Sequence, residues 1–235
     1  MNDVVIFNGL NSLDFHDIRA NVIRIPEVSV RLLEAQEIWD SLQGKGFDFY
    51  NFLASEDDVF LRNIKLKSLA AAIVQVGLFD RYVKRQGLPA FMVGCVSGDS
   101  PLKVCIGEMS FDDMILESHA GRAARASRPI KLADNPVLVG ISLSEFATFK
   151  KKDDQDKFEA TGDNKLDIAT IVVNLIENYG VSKLINVGPG NILMRNMQKD
   201  LALKDVQVIE SIEADPMLNW FWMDMRRNNQ FLKAQ

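Results

Sequence analysis

The four residues Ala90-Phe91-Met92-Val93 carry no polar side chain and show no alternation. A strand with one wet face alternates apolar and polar residues, whereas a strand covered on both faces reads as an unbroken apolar run. This run therefore needs cover on two sides. Further short strand-like runs stand at Val4-Val5-Ile6-Phe7, Val137-Leu138-Val139, Lys183-Leu184-Ile185-Asn186-Val187 and Val206-Gln207-Val208-Ile209. The spacing between them leaves room for crossovers, which is the requirement of parallel rather than antiparallel neighbours.

The intervening stretches have helical period. Pro26 to about Leu42 carries Val30, Leu33, Ile38 and Leu42 and begins with a proline suited to a first helical turn. Lys67 to Arg85 places Leu69, Ile73, Val76 and Phe79 on one stripe and ends at Gly87. Phe111 to Arg125 opens with Ser110 as a cap and Asp112 and Asp113 in its first turn. Leu166 to Tyr179 closes at Gly180, a helix follows Gly188-Pro189-Gly190, and Pro216 to about Leu232 forms the last. Asp57 to Asn63 reads as a polar connection, and the charged segment 149–165 as a flexible loop. Strands alternating with helices predict an α/β fold: a mostly parallel sheet flanked by helices on both faces. With no internal repeat, one domain over 1–235 is the simplest organisation.

Composition removes several classes of function. The net charge of −5 argues against a nucleic-acid binder, and the basic cluster Lys150-Lys151-Lys152 is followed at once by Asp153-Asp154. No apolar run reaches the roughly 18–20 residues that span a bilayer, and the N-terminus has no secretory pattern. A cytoplasmic location and no membrane partner are the expectation. Two cysteines, Cys95 and Cys105, make no disulfide framework, and with only His16 and His119 as histidines neither a zinc site nor a cofactor is expected.

The informative turn follows Met92-Val93. Gly94-Cys95-Val96-Ser97-Gly98 has the small residues that let a strand bend sharply into a helix, as in a nucleophile elbow. With Asp99, Gly107 and Ser110-Phe111-Asp112-Asp113, it aligns without a gap to Gly-His-Ser-x-Gly-Glu, a later Gly and Ser-Phe-Glu-Asp. Ile185-Asn186-Val187-Gly188-Pro189-Gly190-Asn191-Ile192-Leu193 is similar to Glu-(Leu/Ile)-Gly-Pro-Gly-x-Val-Leu. Phe7-Asn8-Gly9-Leu10-Asn11-Ser12-Leu13 stands in the place of Phe-Pro-Gly-Gln-Gly-Ser-Gln, and the helix from Lys67 to Gly87 precedes the elbow strand, with Lys67-Ser68 where Gln-Pro is usual. In these four segments, in this order, the chain resembles the malonyl-CoA:acyl-carrier-protein acyltransferase family, which implies the large-subdomain, hydrolase-like architecture of that family.

The same register marks departures. The nucleophilic serine of the family falls on Val96, which has no lone pair to attack a thioester. The preceding histidine is Cys95, the oxyanion glutamine is Leu10, and the carboxylate-gripping arginine falls on Gly121, with Arg122 one step away. The family inserts a small ferredoxin-like subdomain before its catalytic histidine. Here only about a dozen residues separate Arg125 from Val137, so the resemblance implies that subdomain and histidine are missing between about 125 and 137.

The resulting expectation is a pseudoenzyme: an acyltransferase-like scaffold or protein-binding module with no catalytic residue and no metal. Its partners are an acyl carrier protein, another member of a fatty acid or polyketide biosynthetic complex, or a second copy of itself. Arg122, Arg125 and Arg128 recur three apart and are the candidate contacts for an acidic partner. The enzymatic alternative is a minimal acyltransferase or thioesterase using Ser97 or Cys95. A third reading is a non-catalytic binder of an acyl or CoA group. His119 and His16 are not obvious bases for Ser97, Cys105 reads as a small core residue, and Trp220-Phe221-Trp222 reads as packing onto the sheet, with an exposed docking helix as the alternative.

Overall fold

Local sequence sets the start and stop of each helix. Ile25, extended as a residue before proline must be, leads into α1 (Pro26–Ser41), whose buried residues Val28, Leu32 and Ala35 follow the helical period. The short α2 (Phe49–Ala54) is capped by Asp48, whose carboxylate accepts from the Asn51 N–H. Asn63 caps α3 (Ile64–Gln86) in the same way through the Leu66 N–H, and Gly87, at φ +82°, ends it. After α4 (Asp99–Cys105), Ser110 caps α5 (Phe111–His119) through the Asp113 N–H. The computed structural model describes residues 2–7, 22–42, 46–55, 63–94, 99–120, 140–142, 147–148, 175–188 and 206–219.

Among the described residues six strands make one sheet: β1 (Asn2–Phe7), β2 (Phe91–Gly94), β3 (Gly140–Ser142), β4 (Ala147–Thr148), β5 (Val181–Asn186) and β6 (Gln207–Glu210). Their spatial order is β4-β3-β2-β1-β5-β6. Four successive pairings are parallel, and β4 joins β3 antiparallel at the edge. The fold class is thus the α/β arrangement expected from the sequence.

Strand alternation divides the interior in two. Val5, Phe7, Met92, Ile185 and Val187 meet α1 to α5 in the larger core. Val4, Ile6, Phe91, Val93 and Leu184 pack in a second core against Leu175, Ile176 and Tyr179 of the helical segment 175–179. Helices therefore cover both faces. All four residues of β2 are buried, as its unbroken apolar run requires.

α1 and α3 are the closest helical neighbours. Gly77 permits this, because a Cβ there would sit 2.6 Å from the Val28 Cα and 3.0 Å from the Val28 backbone nitrogen. The layer is also tied by charge. Arg81 holds Asp215 at 2.7 Å and Glu27 at 3.5 Å, and Lys84 reaches Glu27 at 3.0 Å. Burial alone raises the Asp215 carboxyl, but Arg81 and the Met217 and Leu218 N–H groups outweigh it and hold Asp215 below the usual carboxylate range. Glu27 is likewise lowered against its burial, by Lys84 and Arg81.

Several expected boundaries shift. α5 ends at His119 rather than at Arg125, with Ala120 as C-cap. Gly121, Arg122 and Arg125 lie outside the described residues. The strand expected at 137–139 is seen at Gly140–Ser142, while 137–139 lie outside the described residues. So do the segment 149–165 expected to be a loop, the interval 125–137 expected to lack the small subdomain, and Trp220-Phe221-Trp222; the last helix is described over 216–219. α2 and β4 are not among the elements expected from the sequence. At six and two residues they are too short to display a period.

Two outcomes follow. Gly77→Ala forces the added methyl against backbone, so urea denaturation should show a net loss of about 2 kcal/mol despite the ~1 kcal/mol that alanine gains in helix propensity. Because the folded-state pKa values of Asp215 and Glu27 lie below their unfolded values, their stabilisation is complete above the unfolded carboxylate range. It is lost as pH falls through the folded values. Melting temperature should therefore fall on the acid side, below about pH 4. Asp215→Asn should flatten that fall and cost about 3 kcal/mol at neutral pH by leaving Arg81 without its closest partner.

Candidate functional site

A parallel sheet concentrates its loops at the carboxyl ends of the strands, and the crevice opens where the strand order reverses. Here the chain starts at β1, moves outward through β2 and β3, then returns to β5 on the other side of β1. The reversal thus falls between β1 and β5. Register aligns the three strand ends: Phe7 lies opposite Gly94, and Ile6 opposite Asn186. The segments that begin at Asn8, Cys95 and Val187 leave the sheet side by side. These three are the segments the sequence singles out.

The elbow candidate lies between well-defined elements. β2 ends at Gly94 and α4 begins at Asp99, leaving four residues to connect them. α4 packs back against β2 and β1. Cys95, Val96 and Ser97 lie in that connection and outside the described residues, as do Leu10, Gly121, Arg122, Arg125, Arg128 and His16.

The turn after β5 is held by buried amides. Gln75, in the middle of α3 and without accessible surface, donates from Nε2 to the Val187 carbonyl at 3.0 Å. Asn186, equally buried, donates from Nδ2 to the Gly188 carbonyl at 2.6 Å. The Val187 N–H donates to the Ile6 carbonyl at 2.9 Å, and the Ser211 N–H to the Asn186 carbonyl at 2.8 Å. Gly188 has φ +122°, a conformation that side chains disfavour. Backbone groups released from the ladder at a strand end need other partners when buried, and here side-chain amides supply two of them. The sequence reading missed Gln75. Its signal was one polar residue inside Ala70-Ala71-Ala72-Ile73-Val74-Gln75-Val76-Gly77-Leu78, an otherwise apolar stretch.

Other singled-out residues fall elsewhere. Cys105 ends α4 at the margin of the larger core, and burial pushes its thiol well up, with Asp80 adding to the effect and Arg31 opposing it. A thiol so raised is a poor nucleophile. His119 ends α5 and packs edge-on against Trp39, their ring centroids 4.9 Å apart. Trp39 also meets Phe47 and Phe49, so this histidine belongs to an aromatic cluster of the helical layer. Among the described residues no group of three or more His, Cys, Asp or Glu is arranged to hold a metal, and no helix is long and apolar enough to cross a membrane.

Replacing Gln75 tests how firmly the turn depends on it. Gln75→Leu keeps the volume and removes the donor to Val187, and should cost about 1–2 kcal/mol in chemical denaturation. Gln75→Ala adds a cavity and should cost about 3 kcal/mol or more. A leucine variant as stable as the parent would show that the Val187 carbonyl does not need this donor.

No protein-family model matches the chain, and no curated protein sequence matches it. Solved structures do. The chain is similar to the malonyl CoA-acyl carrier protein transacylase from Clostridium perfringens, with TM-score 0.63 at 12% identity, covering 100% of each chain. The malonyl-CoA:ACP transacylase of Synechocystis sp. PCC 6803 gives TM-score 0.60 at 13% identity, covering 89% of this chain and 97% of the transacylase. A malonyl-transacylase solved in complex with its type II PKS acyl-carrier protein gives TM-score 0.59 at 12% identity, covering 89% of this chain and 96% of the other. At such identities the likeness is one of fold.

Proposed function

We propose that this chain, which has the fold of the malonyl-CoA:ACP transacylases, is a catalytically silent relative that acts as a protein-binding or scaffold module. The observation that carries the reading is the connection from β2 to α4. A buried central strand passes into a helix over Cys95-Val96-Ser97-Gly98, and the position of the attacking group in the resembling enzymes is Val96. An isopropyl group cannot add to a thioester carbonyl, nor can a leucine side chain at position 10 donate a hydrogen bond to an oxyanion.

The spacing after α5 supports the same reading. Only residues 120–139 separate α5 from β3. Twenty residues are too few for an independent subdomain, since domains below about 40 residues usually need disulfides, metals or oligomerisation. A chain of this fold without the small subdomain has lost one wall of the enzyme's cleft. Surface uncovered in that way needs cover from altered side chains or from another chain. The transacylase solved with an acyl-carrier protein makes such a protein the first partner to try. Arg122, Arg125 and Arg128 supply three cations within seven residues for an acidic surface.

The test is direct. After incubation with malonyl-CoA or acetyl-CoA, intact-mass measurement should find the chain unmodified. A malonyl or acetyl adduct on Ser97 or Cys95 would instead establish the enzymatic alternative. Holo-acyl-carrier protein should be retained by the immobilised chain and released on Arg122→Glu with Arg125→Glu. A strictly monomeric chain that retains none removes the scaffold half of the proposal.

A further inference from the structure

Six large apolar side chains are exposed among the described residues, and four of them, Val30, Leu33, Tyr50 and Leu116, lie on α1, α2 and α5. These three helices form one packed layer with α1 in contact with both others. On α1 the inward face is already used: Val28, Leu32 and Ala35 are in the larger core. A step of 100° per residue puts Val30 and Leu33 on the opposite side. They are 61% and 67% exposed. Three apart on a helix, they are surface neighbours about 5–6 Å apart. Pro26, one turn before Val30, is exposed as well. An exposed β-branched valine brings no gain in helix propensity, so local structure does not explain it.

Toward the C-terminal end of α1 this stripe is flanked by carboxylates. Glu34 lies one turn after Val30, Glu37 one turn after Leu33, and Asp40 a turn further; Glu37 and Asp40 are exposed. Arg31 is the only cation of α1, and it is turned away. It donates to Asp80 at 2.7 Å and to Glu34 at 2.9 Å, and its guanidinium lies 4.8 Å from the centre of the Phe111 ring. The outward face is therefore apolar along its middle and acidic toward its C-terminal end.

We propose that this face of α1 docks a basic amphipathic helix from a partner protein. Apolar residues of that helix cover Val30 and Leu33, and its lysines or arginines meet Glu37 and Asp40, the helix-on-apolar-surface mode of recognition. Charge selects the occupant. A second copy packed with its α1 parallel brings carboxylates against carboxylates, and an acidic partner is repelled in the same way. This surface is separate from the carboxyl ends of the strands and does not depend on whether the elbow is silent.

A fluorescein-labelled helical peptide with leucines at i, i+3, i+4 and i+7, flanked by lysines, is the probe. Titrated with the full chain, its anisotropy should rise to saturation. Leu33→Asp should weaken binding about tenfold or more, and Glu37→Lys severalfold, with the melting temperature of the chain unchanged. Leu33→Ser, which adds no charge, serves if the aspartate disturbs the helix. The same peptide flanked by glutamates should not bind. Absence of saturable binding, equal binding of the acidic peptide, or undiminished binding by the Leu33 variants each overturns the proposal. So does sedimentation showing a dimer that Leu33→Asp dissociates, which assigns the face to a second copy.

Discussion

β1 is buried on both faces: Val4, Val5, Ile6 and Phe7 have no accessible surface, and each hydrogen-bonding edge is taken by a parallel neighbour. Its odd residues enter one core and its even residues the other. A slip of one residue would exchange Val5 and Phe7 for Val4 and Ile6, and neither core would fit. Register is therefore tightly fixed here. Because β2 and β5 pair with β1, the same constraint fixes where these three strands end relative to one another.

Polar groups enter the interior mainly where this register ends. Gln75 and Asn186 are fully buried, yet both act at the carboxyl end of β5, on the carbonyls of Val187 and Gly188. An amide in an apolar helix face is costly unless hydrogen-bonded, by about 1–3 kcal/mol. Placing it against a strand-end carbonyl satisfies two groups at once. The outcome is a turn whose position is set by α3 as well as by the sheet. The larger core and the crevice are thus joined mechanically: the helix that meets α1 through Gly77 also holds the Val187 carbonyl.

A fold of this kind can outlast its chemistry, because the two rest on different residues. Sheet register needs apolar β1 and β2. Thioester chemistry needs one hydroxyl or thiol, a base and oxyanion donors. In the proposed register, with Val96 in the nucleophile's place, the second set would be lost and the first kept. The proposed silent scaffold is consistent with that separation, and the acidic, apolar outer face of α1 offers a contact surface unrelated to the crevice.

The sequence alone determined the layers. Val4-Val5-Ile6-Phe7 and Phe91-Met92-Val93 demanded burial on both faces, Pro26, Ser110 and Gly87 marked helix ends, and alternation of runs demanded a parallel sheet. These are local signals, carried by side-chain polarity and backbone preference. What only the tertiary structure decided was which strand ends stand together, since the order β4-β3-β2-β1-β5-β6 sets Val4 beside both Phe91 and Leu184, which are 87 and 180 positions away in sequence. It also decided the partner of Gln75, the end of α5 at His119, and the outward turn of Val30 and Leu33, which the sequence placed on the apolar stripe of α1. A helical period shows that apolar residues repeat, but only the packing of α3 and α5 against Val28, Leu32 and Ala35 selects which of them face the core.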